Sequence, residues 1–183
     1  MAEPSMEDPQ RDFEPSRELL AATSRGDPEA LAELYEDFGG AVLGVALRLL
    51  GSRPEAEDVL QDIFVRLPNI IATFSGRGSF AGWIRKVAAR TALMRMRHTN
   101  TSATKSLGFG QDVPARSDRV FDRVDLERAL AKLSPGLRAV FIMKEVEGYP
   151  HDEIGDLLGI TRSASEVRLF RARKVLRDQL ERR

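Results

Sequence analysis

DEIGDLLGITRSASEVRLFRARKVLR, residues 152–177, falls into two helical patterns separated by a glycine. Ile154, Leu157 and Leu158 form a short apolar repeat that stops at Gly159. Ile160 then lies in a tight turn, Thr161 is placed to N-cap, and a longer basic helix follows. Two helices joined by a short turn containing glycine outline a helix-turn-helix. In that motif the second helix enters the DNA major groove.

The second helix divides by face. Ser165, Leu169, Ala172 and Leu176 recur at steps of four, three and four and make the inward stripe. Ser163, Glu166, Val167, Phe170, Arg171 and Lys174 make a second stripe that faces a partner. Between Arg162 and Arg183 there are eight basic and three acidic residues, enough to follow a phosphate backbone. A basic helix alone is equally a solvated face; the glycine turn and the N-cap before it favour DNA.

Outward from this motif, charge is distributed unevenly. The formal net charge is zero, yet residues 1–66 hold 15 acidic and 6 basic side chains, and residues 67–116 hold 1 and 8. Residues 117–183 hold 12 acidic and 14 basic. An acidic front followed by a basic middle predicts two partners of opposite character, one of them polyanionic. No carboxylate occurs between Asp62 and Asp112, the footprint expected of a surface that meets phosphates. The chain has no cysteine, which excludes disulfides and cysteine-zinc sites and fits a reducing compartment. No apolar run approaches the roughly 18 residues of a membrane span, and the acidic N-terminus does not read as a signal peptide. A soluble cytoplasmic protein is expected.

Residues 1–15, with Pro4, Pro9 and Pro15 among acids, read as a disordered tail. A helix begins near Ser16 and breaks at Gly26; Asp27-Pro28 starts the next, carrying Leu31, Leu34, Tyr35 and Phe38. Gly39-Gly40 is read as a break before a further helix with Val42, Leu43, Ala46, Leu47 and Leu50. Ser52 and Glu55 have capping-box spacing. The helix after them puts Val59, Leu60, Ile63, Phe64 and Leu67 on one face and Glu55, Asp58 and Asp62 on another, and Pro68 is expected to end or kink it. Residues 73–79 are a glycine-rich loop without the lysine or spacing of a phosphate-binding loop. A long helix from Ser79 to about His98 follows, with the apolar stripe Phe80, Trp83, Ile84, Val87, Thr91 and Met94 and a basic surface of Arg85, Lys86, Arg90, Arg95 and Arg97. Residues 99–117 lack periodicity and read as a linker. A second domain starts near Asp118, and Ser134-Pro135 opens a helix ending around Gly148. With no strand signal, the fold class is all-α: two small helical domains, 16–98 and 118–183, joined by a flexible linker.

No catalytic constellation stands out. His98 and His151 are far apart in sequence and suit surface or helix-end roles better than catalysis. Trp83, on an apolar stripe, suits a core anchor better than a base-stacking platform.

Two separated stretches resemble one family. Arg48–Phe64 (RLLGSRPEAEDVLQDIF) with Gly76–Ile84 (GRGSFAGWI) is similar to region 2 of an extracytoplasmic-function (ECF) sigma factor of the sigma-70 family. Leu133–Phe141 (LSPGLRAVF), Glu145–Gly148 and Leu169–Arg173 resemble region 4. The resemblance implies a bacterial initiation subunit, not an enzyme and without a cofactor or metal. Such a subunit binds core RNA polymerase through the β′ clamp and β flap and directs it to promoter DNA. Region 2 would melt and read the −10 element, and region 4 would read the −35 duplex. It implies polymerase contacts at Glu55, Asp58, Gln61, Asp62 and Phe64, and −10 contacts at Ser75, Arg77, Ser79, Trp83, Arg85, Lys86, Arg90 and Arg97. The −35 contacts implied are Arg162, Ser163, Glu166, Val167, Arg168, Phe170, Arg171 and Lys174. An anti-sigma factor is implied as a further partner.

The chain departs from the family pattern at Pro68, Thr91 and Met94 in region 2 and at Ser165, Glu166 and Val167 in the recognition helix. A buried Ser165 hydroxyl without a partner would cost roughly 1–3 kcal/mol, so either it donates to a backbone carbonyl one turn back or the residue is less buried than the stripe implies. Glu166 would repel phosphate but accept from cytosine N4, and Val167 suits a thymine methyl; the pair is expected to give an unusual −35 preference. The alternative function is a stand-alone helix-turn-helix regulator that binds an operator without polymerase, and a third is a helical adaptor that no longer reads DNA. The acidic helix at 55–64 favours the polymerase-bound reading.

Overall fold

A computed structural model describes residues 14–103 and 129–181, and every regular element among them is helical. Helix α1 (Arg17–Ser24) is capped by Ser16, whose Oγ accepts from Leu19 N–H at 3.1 Å. Asp27 caps α2 (Pro28–Leu50), its Oδ1 accepting from the N–H groups of Glu29 and Ala30 at 3.0 and 3.1 Å. α3 (Arg53–Ile70) passes into a short 3₁₀ turn (Ile71–Thr73), and α4 (Phe80–Ala103) follows the loop. Beyond residue 128 come α5 (Pro135–Phe141), a π-helical turn (Ile142–Val146), α6 (His151–Leu158) and α7 (Arg162–Glu181).

Several local expectations give way to packing. α2 runs unbroken through Gly39-Gly40, although each glycine costs a helix interior about 1 kcal/mol relative to alanine. The helix persists because Leu34, Phe38, Val42, Val45, Ala46 and Leu49 are all buried, from both sides of the glycines. Ser52 is the N-cap of α3, but its side chain makes no capping bond, so the capping box does not form. Pro68 neither ends nor breaks α3; the helix continues to Ile70 with Leu67 and Ile71 buried on either side of the proline.

α4 packs on α2 and α3, and its inward face is Phe80, Ile84, Ala88, Ala89, Ala92 and Leu93. The expected stripe through Thr91 and Met94 is therefore rotated: Met94 is exposed, and small alanines let α4 approach α2 closely. The helix also extends to Ala103, past His98 and into the stretch read as linker. The rest of that linker, the expected domain start at Asp118 and residues 1–13 of the tail lie outside the described residues. Of Glu14 and Pro15, read as the tail's end, Pro15 is buried, and the exposed Glu14 reaches the start of α4.

The C-terminal helices pack α5 and α6 against α7 around Leu133, Val140, Ile142, Met143, Ile154, Leu169, Ala172 and Leu176. Their core is continuous with that of the N-terminal helices, through contacts of α5 with α2 and of α6 with α4.

Candidate nucleic-acid and polymerase interfaces

The turn between α6 and α7 follows from three residues. Gly159 sits at φ +67°, the left-handed region where a side chain is strained. Ile160 N–H returns to Gly155 O at 3.0 Å, and Thr161 Oγ1 accepts from Ala164 N–H at 3.1 Å, so α7 begins capped. Ser165, Leu169, Ala172 and Leu176 face inward, and Ser163, Glu166, Val167, Phe170, Arg171 and Lys174 are exposed on the opposite side. Phe170 is 71% exposed and Val167 48%. Leaving a phenylalanine in water forgoes about 1.5–3 kcal/mol of burial, which marks the ridge as a surface meant to be covered. Arg168 is half-buried and leans over Gly136 at the start of α5, away from this ridge.

Ser165 is fully buried, but its partner is not a backbone carbonyl. Its Oγ lies 2.9 Å from His151 Nδ1 at the start of α6. His151 is thus a strut between the two helices of the motif rather than a lone surface group. His98 lies where side chains are outside the described set. Glu166 also has an intramolecular partner: Arg162 donates from Nε to Glu166 Oε1 at 3.0 Å and from Nη1 to Asp152 Oδ2 at 3.2 Å. The Glu166 hydrogen bond first, and the Asp152 charge second, raise the Arg162 pKa above its ordinary value.

On the N-terminal helices, Ser75, Arg77 and Ser79 are exposed on the loop before α4. Trp83 is half-buried in an aromatic cluster, its ring centroid 5.1 Å from Phe80 and 5.7 Å from Phe74. Asp58, Gln61 and Asp62 are exposed on α3 and Glu55 is half-buried; Phe64 is buried, edge-on to Tyr35 at 5.0 Å. Tyr35 and Phe64 line an open apolar groove with Pro28, Leu31, Ala32 and Glu36.

The run free of carboxylates between Asp62 and Asp112 acquires them in space. Arg95 pairs with Asp58 and with Asp62, the latter at 3.7 Å. Arg85 donates from Nε to Glu147 Oε2 at 3.3 Å, and Arg48 from Nη2 to Glu147 Oε1 at 3.0 Å. The Glu147 side chain is 5% exposed at the junction of the two halves. Lys86 Nζ stands 5.8 Å from the Tyr149 ring centroid, a cation–π contact across the same junction. Tyr149 is buried, and burial, then the Glu153 and Glu147 carboxylates, raise its pKa above the ordinary tyrosine value. Arg97 approaches Gly159, and Arg138, buried with its Nε donating to Leu130 O at 2.9 Å, lies against Gly51. Burial lowers the Arg138 pKa below its ordinary value.

Sequence reasoning missed Glu147, Tyr149, Arg48 and Arg138 as junction residues. Their partners lie up to 99 positions away, which no local spacing reveals. Four of the expected −10 contacts, Arg85, Lys86, Arg90 and Arg97, lie on the part of α4 that faces α6 and the turns flanking it. Among the described residues no cluster of three or more histidine or acidic side chains is placed to hold a metal ion.

Comparison with known proteins agrees with this architecture. Residues 34–101 match the family model of sigma-70 region 2, and residues 123–176 match sigma-70, region 4. Together the matches span well over half of the chain, in the order expected, and the chain belongs to the sigma-70 family. It is similar to the ECF RNA polymerase sigma factor SigE of Mycolicibacterium smegmatis, 30% identical over 166 residues, 85% of this chain and 64% of that protein. The chain thus spans less than two thirds of the length of SigE. It is also similar to the ECF RNA polymerase sigma factor SigW of Bacillus subtilis, 24% identical over 179 residues, 90% of this chain and 96% of that protein. Among solved structures, the sigma factor RpoE in complex with the anti-sigma factor NepR from Bartonella quintana shares the fold. The TM-score is 0.54 at 20% identity, covering 82% of this chain and 96% of that one. These similarities place the chain among the ECF sigma factors.

Proposed function

We infer that this chain is a promoter-specificity subunit: it binds core RNA polymerase, reads a −35 duplex with α7 and melts and reads a −10 element with α4 and the loop before it. The observation that carries this is the division of α7. Val167, Phe170, Arg171 and Lys174 stand exposed together while the opposite face packs on α5 and α6. A ridge of apolar and cationic side chains supplies base contacts and phosphate contacts at once.

In region 2, exposed Ser75, Arg77 and Ser79 and half-buried Trp83 would meet an unpaired strand, where bases stack and phosphates pair with arginine. Asp58, Gln61 and Asp62, with the groove beside Phe64, offer the polymerase an acidic and apolar face. An anti-sigma factor is a further expected partner, as in the similar RpoE–NepR complex. Catalysis belongs to the polymerase, and the place of action is the cytoplasm; among the described residues no helix is long and apolar enough to cross a membrane.

Run-off transcription with core polymerase and a promoter library tests this reading. Initiation from a subset of promoters sharing −35 and −10 elements is the expected result. Operator binding without initiation from any promoter would refute it in favour of a stand-alone regulator.

A further inference from the structure

The segment Glu14-Pro15-Ser16 joins two helices that are distant in sequence. Ser16 caps α1, Pro15 is buried, and the Glu14 carboxylate accepts the Phe80 N–H with both oxygens, at 3.0 and 3.1 Å. Phe80 is the first residue of α4 and has no exposed surface. Its N–H is one of the unpaired donors that a helix presents at its N-terminus, where the macrodipole favours a negative charge. Ser79, the residue in N-cap position, uses its own Oγ for Gly82 N–H at 3.0 Å. The carboxylate from 66 positions upstream therefore completes a cap that the local sequence supplies only in part.

What this cap holds is the end of the candidate −10 loop. Phe80 meets Phe38 and Phe74 edge-to-face, at 4.9 and 5.3 Å between ring centroids, and lies tilted against Trp83 at 5.1 Å. Phe74 begins the loop and Phe80 ends it, with Gly76 and Gly78 between them at φ +71° and +77°. The two glycines leave the loop backbone with wide conformational freedom, so its shape depends on how firmly its two ends are held. The aromatic contacts hold the side chains of both ends, and Glu14 holds the backbone of the second.

We propose that Glu14 is a positioning residue for −10 recognition, fixing the start of α4 so that Ser75, Arg77, Ser79 and Trp83 present one geometry to the unpaired strand. This rests on the assignment of that loop to −10 reading. Glu14 touches no base itself. Glu14→Ala removes both acceptor atoms, and Glu14→Gln keeps one oxygen acceptor without the charge. Loosening a recognition loop lowers selectivity before it lowers folding, because the preferred sequence loses the contacts that a wrong sequence never made.

The test uses full-length chain with core polymerase on a promoter pool randomised over the −10 element. Glu14→Ala should lower the preference for the selected −10 sequences about tenfold, and Glu14→Gln about threefold. Selection over a −35 pool and affinity for core polymerase should remain within twofold of wild type. In the free protein, hydrogen exchange at the Phe80 amide and through residues 74–79 should accelerate in Glu14→Ala. Unchanged −10 selectivity in a variant whose Phe80 amide exchanges faster overturns the proposal and leaves the loop assignment standing. Unchanged exchange overturns the cap itself. A wild-type holoenzyme without −10 selectivity removes the loop assignment, and the proposal falls with it.

Discussion

Glu147→Ala removes the carboxylate that Arg48 and Arg85 share at the junction of the two halves. The magnitude is set by burial. A charge-assisted hydrogen bond contributes about 1.5–3 kcal/mol, and breaking a fully buried ion pair costs about 3–5 kcal/mol. Glu147 is 5% exposed, but the side chains of Arg48 and Arg85 are 34% and 32% exposed, so water takes over much of their solvation once the carboxylate is gone. A net loss of about 1–2 kcal/mol remains after that discount. This corresponds to a roughly 5- to 30-fold loss in the folded-to-unfolded ratio. For a cooperatively unfolding chain of this size it lowers the Tm by about 2–8 °C.

The absence of cysteine makes the shift directly measurable. Dyes on Glu33→Cys and Asp156→Cys, both exposed positions, report the separation of the two halves by energy transfer. Glu147→Ala should lower the transfer efficiency and raise affinity for a single-stranded −10 oligonucleotide, because Arg85 is released. Glu147→Gln should fall between the two. Wild-type transfer together with a wild-type Tm would refute the reasoning, since the carboxylate would then contribute nothing to the junction.

Three further outcomes are expected. Ser165→Ala deprives His151 Nδ1 of its buried partner; calorimetry should show a loss of about 1 kcal/mol, with −35 duplex affinity unchanged because Ser165 faces inward. Glu166→Lys should change the base preferred at one −35 position in a selection experiment; equal strengthening on every sequence would mean that Glu166 acts by charge repulsion alone. Tyr149 holds its proton more tightly in the fold than its ordinary value of 10.0 implies, so its contribution is complete below that pH and is lost as pH rises above it. Tyr149→Phe should therefore flatten the decline in stability of the wild type between about pH 10 and 12, read by chemical denaturation.

The elements of this fold were legible wherever pattern and punctuation agreed. Asp27-Pro28, Gly159 and Thr161 mark helix ends by local chemistry, and the structure uses them so. Where punctuation opposed pattern, pattern won: Gly39-Gly40 and Pro68 lie in helices whose flanking residues are too well buried to release. The inward face of α4 was misjudged because alanines carry little hydropathic signal, yet Ala88, Ala89 and Ala92 are what allow close approach to α2. The π turn at Ile142–Val146 has no compositional mark, and it ends where Glu147 projects toward α2 and α4.

The missed junction bears on how DNA is bound. The run free of carboxylates assigns Arg85 to phosphate, and in the structure it is paired with Glu147. Were Arg85 to contact the −10 strand, the same guanidinium could not serve both partners fully, and strand and Glu147 would compete for it. A ligand shifts such an equilibrium only by its differential affinity for the two forms. Release of Arg85 from Glu147, at a cost of about 1–2 kcal/mol, would then lower the affinity of the free chain for the −10 strand by up to roughly 5- to 30-fold. Glu147→Ala would then raise the affinity of the free chain for a −10 strand by the same factor.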